Sequence, residues 1–357
     1  MKNRKTSMIT GLIILLVAIG IAVGYSVFQS KQLPLTKIVG FVGGEKINFL
    51  KDPQVEKILS ERYKLSLDIR KAGSLDMVRA DLDGMNFLWP SSQTAVELYK
   101  SLHGAPYKDD MIFTTPIVLY SFRPVAEALV QQGASSFDNG VYYLELEPFI
   151  RMIVEDKQWS DLGLDLWGDI LIHTTDPSKS NSGNMFAGLV ANMLNKGQVV
   201  QAKQVSGLAE DLLHVFNKMG VMSVSSSDLF SLYLRNGISD RTITAGYENQ
   251  MLELSKMEPE VWAKHKQDLV ILYPEPTVWS THMLIALDEQ GARLMEALKD
   301  PEIQAIAWKD HGFRTSVTGA GDAVAEFKEV PGVAESIRKV MPAPGYDAIT
   351  KIISYFQ

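Results

Sequence analysis

Short loops rich in glycine and serine recur along the chain, and their residue types could bind a small anion. Backbone amides at the start of a helix are free to donate, and the positive end of the helix dipole favours negative charge. Serine hydroxyls add further donors, although serine and asparagine in such places are also ordinary helix N-caps. The loops are Gly43-Gly44-Glu45, Ala72-Gly73-Ser74, Pro90-Ser91-Ser92 and Ser180-Asn181-Ser182-Gly183.

Three residues further along the chain are candidates for the same site. Glu248 would repel an anion unless it is protonated, paired with a cation or turned away, and it could instead bind a cation or an amine. Tyr247 and Trp279 could stack on a ligand or donate to it, although aromatic residues after strands more often pack in a core. The predicted ligand-binding residues are Gly43, Gly44, Glu45, Ser74, Ser91, Ser92, Ser180, Asn181, Ser182, Gly183, Tyr247, Glu248 and Trp279.

The sequence lacks the residue patterns of common enzymes. Its 6 histidines show no pair at metal-ligand spacing, and its 0 cysteines exclude thiolate metal sites, disulfides and a cysteine nucleophile. The glycine-rich residues 318–322 follow no convincing strand and are interpreted as a loop. We therefore predict no catalytic residue, no metal and no cofactor, so the protein is not expected to be an enzyme. A hydrolase that depends on Glu248 is an enzymatic alternative to a binding function.

The composition is that of a globular protein with room for two domains. The chain has 357 residues, 46% of them hydrophobic, and a net charge of -7. Lysine and arginine form no stripe along it, which argues against a nucleic-acid partner.

An apolar segment near the N-terminus predicts a membrane anchor. Residues 8–28 are almost wholly apolar and could cross the roughly 30 Å hydrocarbon layer as a helix. Lys2, Arg4 and Lys5 precede the segment, so residues 1–36 are interpreted as a cytoplasmic stub, the anchor and a linker. The expected location is the cell membrane, with a single pass and an extracytoplasmic main domain. A cleaved signal ending near residues 22–24 is the alternative, but the apolar core exceeds the usual length of about 7–15 residues.

Strand-like and helix-like segments alternate in the remaining chain. Residues 37–44, 49–63 and 65–69 predict a strand, a helix and a strand, and residues 169–174 predict a strand before the loop at 180–183. Residues 111–122 form a long β-rich run with Pro116 inside it, which indicates an edge or crossover strand. This alternation predicts α/β domains with mostly parallel sheets that bind ligands at the carboxyl ends of their strands.

Four motifs in this order resemble a known family. They are Trp159-Ser-Asp-Leu162, the loop Thr175 to Gly183, Gly246-Tyr-Glu-Asn249 and Tyr273-Pro-Glu-Pro-Thr277. The pattern resembles solute-binding proteins of the type II periplasmic-binding fold, closest to those of the sulfate and molybdate group of ABC transporters. Tyr247-Glu-Asn-Gln250 departs from the tryptophan and second glutamate usual in that group, which leaves the ligand less well supported than the fold.

The resemblance implies two α/β lobes with helices on both sheet faces and a hinge of two crossing strands. Lobe I would contain residues 37–115 and 281–357, and lobe II residues 116–280. The implied function is capture of a small ligand, an oxyanion or a carboxylate, in the cleft for an ABC-type importer. The expected protein is a monomer, with an ABC permease as a possible membrane partner. A ligand sensor, or an accessory for resistance to a toxic anion, is the alternative function.

Overall fold

The computed structural model describes Gly20, residues 34–315 and residues 324–357. The predicted anchor at 8–28, apart from Gly20, and the predicted loop at 318–322 lie outside these residues. Within them, no helix has the length and apolar character needed to cross a membrane.

The described chain contains strands and helices throughout. The strands are β1 (Thr36–Val42), β2 (Leu65–Lys71), β3 (Phe87–Trp89), β4 (Lys108–Phe122), β5 (Ser135–Asp138), β6 (Val141–Glu145), β7 (Ile243–Tyr247), β8 (Leu269–Glu275), β9 (Trp279–Ala286) and β10 (Arg314–Thr315). The helices are α1 (Ile47–Leu50), α2 (Pro53–Glu61), α3 (Ser74–Arg79), α4 (Gln93–His103), α5 (Arg123–Gln131), α6 (Leu146–Val154), α7 (Asn181–Leu194), α8 (Ala202–Val205), α9 (Ala209–Asn217), α10 (Ser226–Asn236), α11 (Glu248–Met257), α12 (Pro259–His265), α13 (Glu289–Leu298), α14 (Pro301–Lys309) and α15 (Tyr346–Ser354). Short 3-10 turns occupy Gly44–Lys46, Trp159–Leu162 and Val324–Phe327.

Local sequence signals account for the opening β-α-β unit. The Asp52 side chain accepts hydrogen bonds from the amides of Gln54 and Val55, and Pro53 begins α2 where no amide donor is needed. Val55, Ile58 and Leu59 of α2 share one buried face, as the sequence periodicity predicts. Helix α2 then leads into β2, which pairs in parallel with β1.

The sheet is mixed rather than mostly parallel. Its strand order is β2-β1-β3-β9-β4-β8-β6-β5, with β10 and β7 also paired to β4. Parallel pairing is limited to β1 with β2, β1 with β3 and β6 with β8. The prediction of mostly parallel sheets is therefore wrong, because β4 runs antiparallel to four of its neighbours and β9 is antiparallel to β3.

Strand β4 passes through both halves of the molecule. Residues 108–116 pair with β9, whereas residues 117–122 pair with β7 and β8. Pro116, which has no amide hydrogen to donate, lies where β4 changes partners. The return connection runs from β8 to β9 through residues 276–278. These two crossings link the two halves of the molecule.

Separate hydrophobic cores define the two halves, which we call the first and second lobes. The first lobe has a core with Phe49, Trp89 and Phe113, and the second has a core with Phe149 and Phe186. The first contains β1 to β3, β9, β10, α1 to α4, α13 and α14. The second contains β5 to β8 and α5 to α12.

The C-terminal segment packs differently from the prediction, which placed all of 281–357 in the first lobe. Ala348, Ile349, Ile352 and Ile353 of α15 belong to the core of the second lobe. Gly188 of α7 makes room for this contact, because a Cβ there would lie 3.0 Å from Cδ1 of Ile349. Helix α15 therefore covers the second lobe.

The predicted strand at 169–174 does not form a regular strand. The segment makes only isolated bridges, at Asp169 with Gln158 and at His173 with Thr244. It nevertheless leads into the loop before α7, so the start of that helix keeps its expected place after this segment.

Candidate ligand-binding site

A cavity of about 310 Å³ lies between the lobes. The first lobe lines it with the turn after β1, the segment between β2 and α3, and Ser91. The second lobe lines it with the starts of α7 and α10 and with Tyr247. The lining residues are Gly43, Gly44, Glu45, Lys71, Ala72, Gly73, Ser74, Asp76, Ser91, Lys179, Ser180, Asn181, Val224, Ser225, Ser226, Asp228 and Tyr247.

Helix starts from both lobes meet at this cavity without side-chain caps. The N-cap residues are Gly73 for α3, Ser180 for α7 and Ser225 for α10, and none makes a side-chain capping hydrogen bond. The first amides of a helix have no acceptor within the helix. Helices α7 and α10, with 14 and 11 residues, also direct the positive ends of their dipoles here. The arrangement offers amide donors to a ligand from opposite sides.

A buried polar cluster forms one wall of the cavity. The Lys46 ammonium and the Ser91 hydroxyl both donate to Oε1 of Glu45. Lys46 Nζ also donates to Ser91 Oγ at 2.7 Å and lies 3.2 Å from Nδ1 of His282. Lys46 and His282 are fully buried, so this cluster belongs to the interior and only its edge reaches the cavity.

The protonation states of the residues in this cluster follow from burial and from the neighbouring charges. Burial raises the pKa of the Glu45 carboxyl, but the Lys46 charge and the hydrogen bonds from Lys46 and Ser91 outweigh it and lower the pKa to about 2. Burial lowers the pKa of Lys46, and the neighbouring Glu45 opposes that shift. Burial and Lys46 together hold the pKa of His282 well below its usual range. At neutral pH, Glu45 is therefore ionised and His282 is neutral.

Asn181 connects the two lobes at the floor of the cavity. Its Nδ2 donates to the carbonyl oxygen of Ser91 at 2.9 Å and to the hydroxyl of Tyr247 at 3.0 Å. Burial, and then Glu45, raise the pKa of Tyr247, so its phenol stays neutral. The first residue of α7 thus contacts a first-lobe loop directly.

Other contacts bring the two lobes together at the cavity. Nζ of Lys71 lies 3.4 Å from Oγ of Ser227 and 3.8 Å from Oδ1 of Asp228. A Cβ on Gly73 would lie 2.6 Å from the carbonyl oxygen of Lys179. Glycine at position 73 permits this close approach of the two backbones, because any side chain would clash there.

Three predicted serine and glycine residues support the site without lining it. Ser182 lies 2.9 Å from Oγ1 of Thr175 and 3.2 Å from Oγ of Ser180, hydroxyl to hydroxyl. Gly183 packs on the Thr175 carbonyl oxygen, which a Cβ would approach to 2.1 Å. Ser92 is the buried N-cap of α4 and makes no side-chain capping hydrogen bond. In contrast to the prediction, none of these three residues is among those that line the cavity.

Glu248 and Trp279 also lie outside the cavity lining. Glu248 is fully buried and accepts from Nε of Arg314 at 2.7 Å and from Nη2 at 2.9 Å, with Tyr273 donating its hydroxyl as well. It is therefore paired with a cation, which is one of the arrangements that the sequence reasoning allowed. Trp279 is only partly buried and lies opposite Pro116, at the crossing between the lobes.

The sequence reasoning missed the start of α10. Ser225, Ser226 and Asp228 line the cavity, and they stand just before Leu229 and Phe230, the first apolar residues of this helix. Serine before an apolar periodic segment is a typical N-cap signal, so this pattern could have identified the loop. Lys71, Asp76 and Lys179 lacked such a signal, because isolated charged residues usually lie on a solvated surface.

The lining combines many donors with few charges. Lys71 and Lys179 are balanced by Asp76 and Asp228, and Glu45 is balanced by the buried Lys46. Across residues 34–315 and 324–357, no group of three histidine or acidic side chains is arranged to hold a metal ion. The described chemistry is that of hydrogen bonding to a small polar molecule.

Comparison with known proteins gives matches in structure only. No family model matches the chain, and no curated protein matches its sequence. The substrate-binding protein of an ABC transporter from Agrobacterium tumefaciens superposes with a TM-score of 0.56 at 13% identity, over 92% of this chain and 95% of that chain. The sulfate-binding protein SubI from Mycobacterium tuberculosis gives 0.54 at 11% identity, over 90% and 96%. Apo ferric ion-binding protein A from Pasteurella haemolytica gives 0.54 at 10% identity, over 90% and 94%.

At these identities the likeness is one of fold. The three matching structures are described as binding proteins, and a sulfate-binding protein is among them. The chain therefore has the fold of periplasmic solute-binding proteins, the type II class that its motifs resemble.

Proposed function

We propose that this protein is a membrane-anchored, extracytoplasmic solute-binding protein. It captures a small ligand, an oxyanion or a carboxylate, between its lobes and delivers it to an ABC-type importer. It acts by binding alone, without a catalytic step, a metal or a cofactor.

The observation that carries this proposal is the meeting of uncapped helix starts from both lobes at one cavity. Helices α7 and α10 contribute from the second lobe, and α3 contributes from the first. A ligand held by amides of both lobes makes contacts in the closed state that the open state cannot make. Binding would therefore shift the population towards closure.

The anchoring and the location outside the cytoplasm are supported by the sequence. Residues 8–28 are apolar, and basic residues precede them. Solute-binding proteins can also be tethered through a lipid on cysteine, but this chain has 0 cysteines. An apolar helix is the tether that remains.

The test is a binding screen on the purified chain. Thermal shift and isothermal titration calorimetry would be run with oxyanions, with small carboxylates and with cationic solutes. We expect at least one anionic solute to raise the melting temperature, because a ligand that binds only the folded protein stabilises it. The absence of any stabilising solute, or stabilisation by cations only, would count against the proposal.

Sensing is the second candidate function, and the absence of a lipid-attachment cysteine favours it. A sensor would use the same cleft and closure but would present the closed shape to a membrane partner that is not a permease. Uptake of radiolabelled ligand by intact cells distinguishes the two functions. Uptake that disappears when the gene is deleted supports transport, whereas unchanged uptake supports sensing.

A further inference from the structure

Glu45 places a carboxylate oxygen without a protein donor at the edge of the cavity. The side chain is 5% exposed and lines both this cavity and a neighbouring one of about 390 Å³ beside α10 and α11. Both hydrogen bonds that the described residues give to this carboxylate reach Oε1, and none reaches Oε2. A buried carboxylate oxygen normally accepts hydrogen bonds, so Oε2 has acceptor capacity to spare.

The neighbouring cation cannot supply the missing donor. The ammonium of Lys46 has three N–H groups. These face Oε1 of Glu45, Oγ of Ser91 and Nδ1 of His282. Lys46 is fully buried and held by these partners, so it has no proton left for Oε2.

The charge state of Glu45 makes it an acceptor only. Its pKa is lowered to about 2, against the effect of burial, because the Lys46 charge and the hydrogen bonds from Lys46 and Ser91 favour the ionised form. An ionised carboxylate accepts hydrogen bonds and repels a bare anionic oxygen placed against it.

We infer that the ligand of this cavity carries an O–H or N–H group beside its anionic group, and that Oε2 of Glu45 accepts a hydrogen bond from it. This inference rests on the proposed function. The anionic oxygens lie at the amides that begin α7 and α10, and the donor faces Glu45. The ligand class is that of protonated phosphates, hydroxycarboxylates and amino acids. Fully deprotonated oxyanions and simple carboxylates are rejected.

The site should discriminate between ligands with and without a donor group, because a ligand without one leaves the buried acceptor of Glu45 without a hydrogen bond. A site built to hydrogen-bond one group of a ligand binds an analogue without that group far more weakly. For a single hydrogen bond to a charged group, the loss corresponds to an affinity ratio of about 10- to 100-fold.

Two pairs of probes isolate the donor. Hydrogen phosphate and sulfate are both tetrahedral, but near neutral pH only phosphate keeps a proton on oxygen. Glycolate and acetate differ by one hydroxyl. Calorimetry on the wild-type chain should show that phosphate or glycolate, or both, bind about 10- to 100-fold more tightly than their partners. Equal affinities within each pair, or tighter binding of sulfate or acetate, would overturn the inference.

A variant tests whether Glu45 is the cause. Glu45→Gln replaces an acceptor-only group by one that can also donate, so the ratio within each pair should fall towards one. Glu302→Gln is the matched control at an exposed ion pair with Arg62 and should keep the wild-type ratio. If Glu45→Gln is folded and keeps the full ratio, Glu45 is not the selective residue.

The two proposals fail in different ways. Binding of every probe without discrimination contradicts the inference and leaves the proposed function standing. Binding of no solute in the wider screen contradicts the proposed function, and the inference that rests on it falls as well. The comparison within the wild-type chain needs no variant, so poor folding of Glu45→Gln leaves the test intact.

Discussion

Two buried carboxylates of this protein have different roles because their neighbours differ. Glu45 has one oxygen at the cavity that accepts no hydrogen bond from the described residues, whereas both oxygens of Glu248 accept from Arg314 inside the protein. A carboxylate whose oxygens are all satisfied has nothing left for a ligand. We therefore interpret Glu248 as a structural residue.

Removal of Glu248 tests this interpretation. Glu248→Ala removes the buried carboxylate that pairs with the Arg314 guanidinium, so the free energy of unfolding should fall by about 3–5 kcal/mol. The control Glu302→Ala breaks a pair whose side chains are 59% and 51% exposed, and should cost less than about 1 kcal/mol. Urea denaturation followed by circular dichroism measures both. A loss of similar size in the two variants would contradict the structural role.

At the scale of elements, the N-cap residues of α7 and α10 make no side-chain capping hydrogen bond, which leaves the first amides of these helices as donors for the proposed ligand. Ser225, the N-cap of α10, lies 2.8 Å from the Ser227 hydroxyl instead of capping the helix. A capping carboxylate would fill the place of an anion. Introducing such a carboxylate should therefore keep or raise the stability of the protein and weaken its binding of an anion.

The substitution Ser225→Asp separates the two effects. Aspartate caps helix starts well and interacts favourably with the dipole, so the melting temperature should stay equal or rise. Affinity for an anion identified in the screen should fall at least about tenfold, because the new charge occupies the amides and repels the ligand. Gly345→Asp is a matched control at the exposed N-cap of α15, outside the cavity, and should leave affinity unchanged. Unchanged affinity in Ser225→Asp would remove α10 from the site.

At the scale of the whole molecule, a histidine links the lobes. Nδ1 of His311, in the first lobe, lies 2.6 Å from Oε1 of Glu253 on α11 in the second lobe. Its Nε2 lies 3.3 Å from Oδ2 of Asp52, the cap of α2. His311 is fully buried, and Phe49 packs edge-on against it at 5.5 Å. Asp310 is a further charged residue near His311.

The raised pKa of His311 predicts a pH dependence for the proposed closure of the lobes. Burial lowers this pKa, but the two carboxylates outweigh burial and raise it above its usual value of about 6.5. A group whose pKa is raised in the closed state stabilises that state below its unpaired pKa and loses the effect as the pH rises through the raised pKa. The closed population should therefore decrease from pH 6 to pH 9.

Spin labels can measure this closure. The chain has 0 cysteines, so Lys57→Cys in the first lobe and Glu210→Cys in the second label selectively. We expect the distance distribution to shift with pH in the wild-type background and to shift less in Glu253→Gln. His214→Asn is the control, because His214 pairs with Asp156 within the second lobe. A distribution that is identical at both pH values would rule out a role of His311 in closure.

The sequence alone indicated the glycine and serine loops at the cavity, although no regular strand precedes the loop at 180–183. The residues of 43–45, Ser74, Ser91 and 180–181 line the cavity because glycine and serine before an apolar helix are local signals, and short-range hydrogen bonding enforces them. The long strand with Pro116 followed from composition in the same way.

Only the tertiary structure decided which residues meet across long distances in the chain. Arg314 pairs with Glu248 from 66 positions away, and α15 packs on the second lobe although it follows the first-lobe segment. The serines at the start of α10 line the cavity because the second lobe packs against the first there. Burial and the choice of an ionic partner depend on three-dimensional proximity, and no local pattern of residue types encodes that proximity.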